Sequence, residues 1–296
     1  MKIQTVRSNA LLLITAAIWG FAFVAQRVGM QYLGPFTFNA ARFTLGTLSL
    51  LPLVFISHNE RPALANILPR PSRKLIVLGG FSAGFMLFMG MSLQQVGLVY
   101  TTAGKAGFIT SLYVVIVPVL ALFWQQSTNP GTWVGAALAA VGLYFLSVKE
   151  GLTVEFGDLL VFLCAFFWAG QVLIIGWLSP RIQSVKLAFA QFVVCAALSL
   201  GTALALESIS WNALIAATWP ILYGGILSSG IASTFQVIAQ RHTHASHAAI
   251  IMSMEAVFAA IGGWLLLNEV LTTRGLMGCG LMLSGMLCSQ LWGKVR

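Results

Sequence analysis

Four ionisable side chains stand in sequence that is otherwise too apolar to hold them. Glu255 lies near the middle of one apolar run, Arg42 lies about two turns inside another, and Lys105 and His247 open two more. A charge inside a bilayer costs at least a few kcal/mol, so such groups face a water-filled cavity or a partner. A buried carboxylate suits an amine or a proton, and Arg42 and Lys105 suit a carboxylate or phosphate. Together the three would suit an amino acid or related zwitterion. Each also has a structural alternative. Glu255 could make a helix-to-helix hydrogen bond as the neutral acid, and Arg42 and Lys105 could reach a membrane interface along their long stems.

Neutral groups extend the set. Trp19 and Trp168 sit well inside their apolar runs, and Gln94, Gln171, Gln236, Ser111 and Tyr113 supply donors and acceptors in apolar surroundings. Gln26, Gln95, Ser228, Ser229 and Ser233 belong to the same class. An amide in hydrocarbon needs a partner, which can be another helix, water or substrate. The expected substrate-binding set is therefore Trp19, Arg42, Gln94, Lys105, Ser111, Tyr113, Trp168, Gln171, Gln236, His247 and Glu255. No catalytic residue, metal ligand or cofactor is expected. The run from Arg241 to His247 holds three histidines but no nearby acid or cysteine, and the four cysteines (Cys164, Cys195, Cys279, Cys288) all fall in apolar stretches. No P-loop pattern supplies nucleotide binding, and only one acid is placed deep enough for intramembrane acid–base chemistry.

The elements that position these residues follow from composition. Of 296 residues, 58% are hydrophobic and 8% charged, whereas a soluble domain carries about 25% charged residues. About 20 apolar residues span a bilayer core as a helix. On that basis ten spans are predicted, at 10–27, 36–56, 75–96, 103–124, 130–148, 157–177, 184–206, 213–238, 246–267 and 273–292. The fold class is all-α integral membrane, with short loops and no room for a soluble domain or a nucleic-acid interface. The first apolar run follows basic residues, as a signal peptide does, but its length, Trp19 and Gln26 mark it as a retained span.

Charge sets the orientation. Of the sixteen Lys and Arg residues, eleven fall on one side of these spans, three (Arg27, Lys149, Arg274) on the other, and Arg42 and Lys105 inside helices. Basic loops stay in the cytoplasm. Both termini are therefore expected in the cytoplasm, on a cell inner (plasma) membrane.

The sequence also repeats itself. AAIWGFAF around Trp19 matches AFFWAGQV around Trp168 at an offset of 149, which also carries Arg42 and Phe43 onto Gln191 and Phe192. Gly79 and Gly80 match Gly224 and Gly225. TAGKAGFITSLYVV matches HASHAAIIMSMEAV at an offset of 142, pairing Lys105 with His247 and Tyr113 with Glu255, and Gly135 and Gly142 match Gly278 and Gly285. Five spans per copy is an odd number, so the second copy must enter the membrane from the opposite side. Inverted repeats of this kind suit a carrier that exposes one site alternately to two compartments.

The opening AAIWGFAFVAQR, Arg42, the stretch GLVYTTAGKAGFITSLYVVIVP, the stretch SMEAVFAAIGGWLLLNEVLT and the closing GCGLMLSGMLCS, in this order, resemble the EamA-type members of the drug/metabolite transporter superfamily. Gln126 stands where the first module of that family usually has an acid matched by Glu269, and Ala256 stands where a proline is common. The resemblance implies two five-helix repeats, here 9–148 and 157–292, with the fifth and tenth helices peripheral. The function expected is secondary transport of a small polar metabolite, an amino acid or related zwitterion, as an exporter working by alternating access. The alternatives are a membrane-embedded enzyme, a channel or receptor, or a transporter of amines, nucleosides or drugs. Expected partners are the substrate and the lipid bilayer, with a proton as candidate coupling ion and a homodimer left open.

Overall fold

A computed structural model describes residues 2–56, 71–123, 130–147, 155–268, 270 and 272–292. Among them every regular element is helical: α1 (Lys2–Gly29), α2 (Pro35–Ile56), α3 (Arg73–Tyr100), α4 (Ala103–Ser111), α5 (Tyr113–Phe123), α6 (Pro130–Ser147), α7 (Phe156–Leu178), α8 (Ser184–Leu206), α9 (Trp211–Ala216), α10 (Thr218–Leu222), a π-helical segment (Tyr223–Ser233), α11 (Thr234–Gln240), α12 (Ala245–Met252), α13 (Glu255–Leu267) and α14 (Thr273–Trp292). Eight helical stretches in the described residues are long and apolar enough to cross a membrane, and Pro130–Phe145 is a shorter apolar helix. Gln126 and Glu269, which bear on the comparison of the two modules, lie outside the described residues.

Local sequence explains where these helices begin. Ser72 accepts a hydrogen bond from the Leu75 amide at 3.1 Å, and Thr102 accepts one from the Lys105 amide at 3.2 Å, as small hydroxyl side chains do at helix starts. Pro35 opens α2, where its missing N–H costs nothing. Glu155 and Asp158 form a capping box at the start of α7.

Three spans expected as continuous helices are interrupted. The fourth breaks at Leu112, between α4 and α5, and the ninth breaks at Ser253 and Met254, between α12 and α13. Leu112 and Met254 are 142 apart, the offset of the sequence repeat, so the two breaks fall at matching places. The eighth breaks at Ala217 and then winds as a π-helix, a rare form that recurs at functional sites. The first and third helices also extend beyond the expected 10–27 and 75–96.

Small residues bring helices into contact. A Cβ at Gly135 would lie 2.7 Å from the Gly285 carbonyl oxygen, and one at Gly142 would lie 2.6 Å from that of Gly278. α6 and α14 therefore cross backbone to backbone along small residues, as membrane helices do. A Cβ at Gly20 would lie 2.7 Å from the Glu255 carbonyl oxygen, so Gly20 seats the start of α13 on α1. A Cβ at Gly225 would lie 2.9 Å from the Arg42 carbonyl oxygen, which seats the π-helical segment on α2.

One end of the bundle is tied by polar contacts. Arg27 on α1 donates to the carbonyls of Leu98 and Thr101 (2.8 Å to Thr101), and Glu207, after α8, accepts from the amides of Phe36 (2.9 Å) and Thr37 (2.7 Å) at the start of α2. At the opposite end, Leu178 meets Gly79, and Gln240 donates to the Val172 carbonyl at 3.0 Å. Phe55, Phe123, Leu204, Trp211 and Trp219 are exposed, an apolar exterior that water would not tolerate and lipid does.

Candidate functional site

A narrow cavity with about 330 Å³ of empty space lies among α1, α2, α3, α7, the π-helical segment and the start of α13. Its polar lining includes Arg42 and Glu255, with Gln26, Gln94, Ser228 and Ser233, and its walls carry Trp19, Trp168, Phe23 and Phe43. Five of the eleven expected site residues, Trp19, Arg42, Gln94, Trp168 and Glu255, thus share one cavity.

Arg42 is 2% exposed and has no acid partner among the described residues. Its Nη2 meets the Met91 sulfur at 3.2 Å, and its guanidinium lies 4.8 Å from the centre of the Phe43 ring. Its Nε and Nη1 have no hydrogen-bond partner. A guanidinium offers five N–H donors, so several remain available to a ligand in the cavity. The helix contact at Gly225 and the buried Phe43–Phe192 ring pair, 5.8 Å between centroids, hold this part of α2 in place.

Glu255 is 3% exposed and is the first residue of α13, immediately after the break in the ninth span. Ser111 Oγ donates to its Oε1 at 3.4 Å, a long bond. The buried Tyr113 ring stands beside the same carboxyl. Since Tyr113 opens α5, both interrupted spans bring a helix start to this point, where the macrodipole favours negative charge. Ser111 and Tyr113 therefore support Glu255 from behind the cavity wall.

Trp19 and Trp168 meet with ring centroids 5.3 Å apart. Trp19 Nε1 donates to the Ser228 carbonyl in the π-helical segment at 3.1 Å, whereas the buried Trp168 Nε1 has no partner. Gln94, in the lining, donates through Nε2 to Thr110 Oγ1 at 3.0 Å.

The remaining expected residues lie elsewhere. Lys105 pairs with Asp158 at 2.5 Å across the α4–α7 contact, and Asp158 also accepts from Thr101 Oγ1 at 2.9 Å. Gln171 and Gln236 bond each other, Gln236 Nε2 donating to Gln171 Oε1 at 3.0 Å. His247 Nδ1 is 2.9 Å from Ser289 Oγ, joining α12 to α14. No group of three or more His, Cys, Asp and Glu side chains suited to a metal occurs among the described residues. Ala22, Phe23, Phe43, Leu87 and Met91 were not expected in the lining. Their apolar types carry no signal that separates a cavity wall from a helix contact.

These features define a multi-pass membrane protein built around a polar, partly charged internal cavity. The EamA-like transporter family matches residues 7–148 and again residues 155–290, and the chain belongs to that family. It is 31% identical over 277 residues to an uncharacterized transporter of Archaeoglobus fulgidus, covering 92% of this chain and 82% of the relative. It is 24% identical to the uncharacterized transporter YoaV of Bacillus subtilis, covering 90% of this chain and 91% of that protein. A solved structure described only as a crystal structure of a protein shares the fold, with a TM-score of 0.75 at 17% identity over 96% of each chain.

Proposed function

We propose that the chain is a secondary transporter of amino acids or related zwitterions, working as an exporter by alternating access. Its ten spans form two inverted five-helix repeats, 9–148 and 157–292, with α6 and α14 as the fifth and tenth spans. Both termini lie in the cytoplasm, on a cell inner (plasma) membrane. Support for the inverted repeat comes from matching residues that meet each other: Trp19 with Trp168, Phe43 with Phe192, and Tyr113 with Glu255. The crossing of α6 and α14 is reciprocal in the same sense. The contact of Gly135 with Gly285 becomes, under exchange of the copies, the contact of Gly278 with Gly142. Contacts of this form are what a two-fold axis requires.

The observation that carries the substrate class is that Arg42 and Glu255 line one cavity without forming an ion pair with each other. Opposite charges held apart in one cavity match a ligand carrying both. Arg42 takes the carboxylate and Glu255 takes the ammonium, and the aromatic walls exclude water. Glu255 is also the residue suited to carry a proton if transport is coupled to one, which an imposed pH gradient in a flux assay would reveal.

The test is thermal stabilisation of purified protein by amino acids, by their decarboxylated amines, by N-acetylated amino acids and by nucleosides. Stabilisation by free amino acids and loss of it with either charge removed is the expected result. Equal stabilisation by amines or by nucleosides would overturn the zwitterion reading.

A further inference from the structure

The cavity is unevenly placed along the bundle. Gln26 lies one residue before Arg27, and Gln94 lies four residues before Leu98, so the cavity extends toward the end of the bundle that Arg27 ties. Three of the cavity's lining positions have polar counterparts in the second copy. The offset of 149 carries Ala22 onto Gln171 and Arg42 onto Gln191, and the offset of 145 that relates Gly79 to Gly224 carries Met91 onto Gln236. Three lining positions of one half are thus three glutamines in the other.

Those glutamines form one cluster. Gln171 Nε2 donates to Gln191 Oε1 at 3.2 Å and to Gln236 Oε1 at 3.4 Å, and Gln236 returns a bond of 3.0 Å. All three are at most 1% exposed. Gln191 Nε2 nevertheless has no partner, and a buried amide donor without one is costly. A glutamine carries both donors and an acceptor, so this cluster can close upon itself in one conformation and offer donors to a ligand in another. A second arginine there could not pair with itself.

Resting on the transporter reading above, we infer that Gln171, Gln191 and Gln236 form a second substrate site, closed in this conformation and opening toward the opposite face from the Arg42 cavity. It receives the substrate's carboxylate through neutral amide donors after Arg42 releases it.

Accessibility of introduced cysteines tests this. With Cys164, Cys195, Cys279 and Cys288 replaced by alanine, Ala22→Cys probes the Arg42 cavity, and Ala239→Cys, at the position matching Gln94, probes the second site. Both alanines are at most 1% exposed. Sealed vesicles of each orientation are treated with a membrane-impermeant methanethiosulfonate, and amino-acid counterflow is measured on the same preparations. Ala239→Cys is expected to react only from the face opposite to that at which Ala22→Cys reacts. Reaction of both from one face, or no reaction of Ala239→Cys while counterflow persists, would overturn the second site. Absent counterflow with Ala239→Cys still reactive would instead overturn the transport reading. In the unaltered cysteine background, Gln191→Leu and Gln236→Leu should keep thermal stabilisation by the amino acid and lower counterflow at least about tenfold; exchange at the normal rate in both would also overturn the inference.

Discussion

The indole rings of Trp19 and Trp168 meet with their centroids 5.3 Å apart and their planes at 53°, although 149 positions separate them in the chain. They occupy matching places in the two repeats, and only one of them has its N–H satisfied by the protein. Trp19→Phe removes a buried hydrogen bond to the π-helical segment and should lower stability by about 0.5–1.5 kcal/mol, read from unfolding in detergent. Trp168→Phe removes a donor that the protein itself does not use. It should lower the unfolding midpoint less than Trp19→Phe does and weaken binding of the transported compound.

Arg42 presents a conflict between stability and function. It is a buried guanidinium with no acid partner among the described residues, and replacing a buried charge by a hydrophobe of similar volume is often neutral or stabilising. Arg42→Met should therefore hold or raise the thermal midpoint while weakening binding of a carboxylate ligand by about 2–5 kcal/mol, the cost of truncating one partner of a buried charged pair. Arg42→Lys should not restore binding, because a planar fork and a point charge address a carboxylate differently. Thermal shift with and without ligand measures both effects.

The Lys105–Asp158 pair joins the two halves at the end of the bundle near Arg27. Lys105 is 32% exposed in its side chain, so a double-mutant cycle of Lys105→Met and Asp158→Asn should give a coupling of about 0.2–1 kcal/mol. Asp158→Asn alone should cost more than Lys105→Met alone. The acid also accepts from Thr101 and from the Glu155 amide at 2.9 Å, and those bonds weaken when its charge is removed.

Glycine substitutions separate close helix contacts from open positions. Gly285→Ala sets a methyl 2.6 Å from the Gly135 carbonyl oxygen and should destabilise by about 1–3 kcal/mol through overpacking. Gly201→Ala and Gly280→Ala have nothing within 4 Å of the added carbon, and should be neutral or stabilise by up to about 1 kcal/mol through helix propensity. Chemical unfolding in mixed micelles checks all three.

Hydropathy carries far enough to predict the eight membrane-length helices among the described residues, because an apolar run of the right length admits few other structures. Ionisable groups in apolar runs single out Arg42 and Glu255, the repeat singles out Trp19 and Trp168, and the structure brings those four to one cavity. Lys105 and His247 looked similar on the same grounds and instead found partners, Asp158 and Ser289. Whether a polar group meets a neighbour or a cavity depends on which helix faces it, and spacing along one helix does not encode that. Leu112 and Met254 give no warning of a break, since both are good helix formers.

Alternating access by two exchanging halves requires the two copies to cross the membrane in opposite directions. Gln31, after α1, and Pro180, after α7, are matching positions at the offset of 149. Single cysteines at Gln31 and at its neighbour-in-register Arg181 can be labelled with a membrane-impermeant maleimide in intact cells and in inverted vesicles. Inverted repeats predict that Gln31→Cys reacts only from outside the cell and Arg181→Cys only from the cytoplasmic face. Labelling of both from the same face would contradict them.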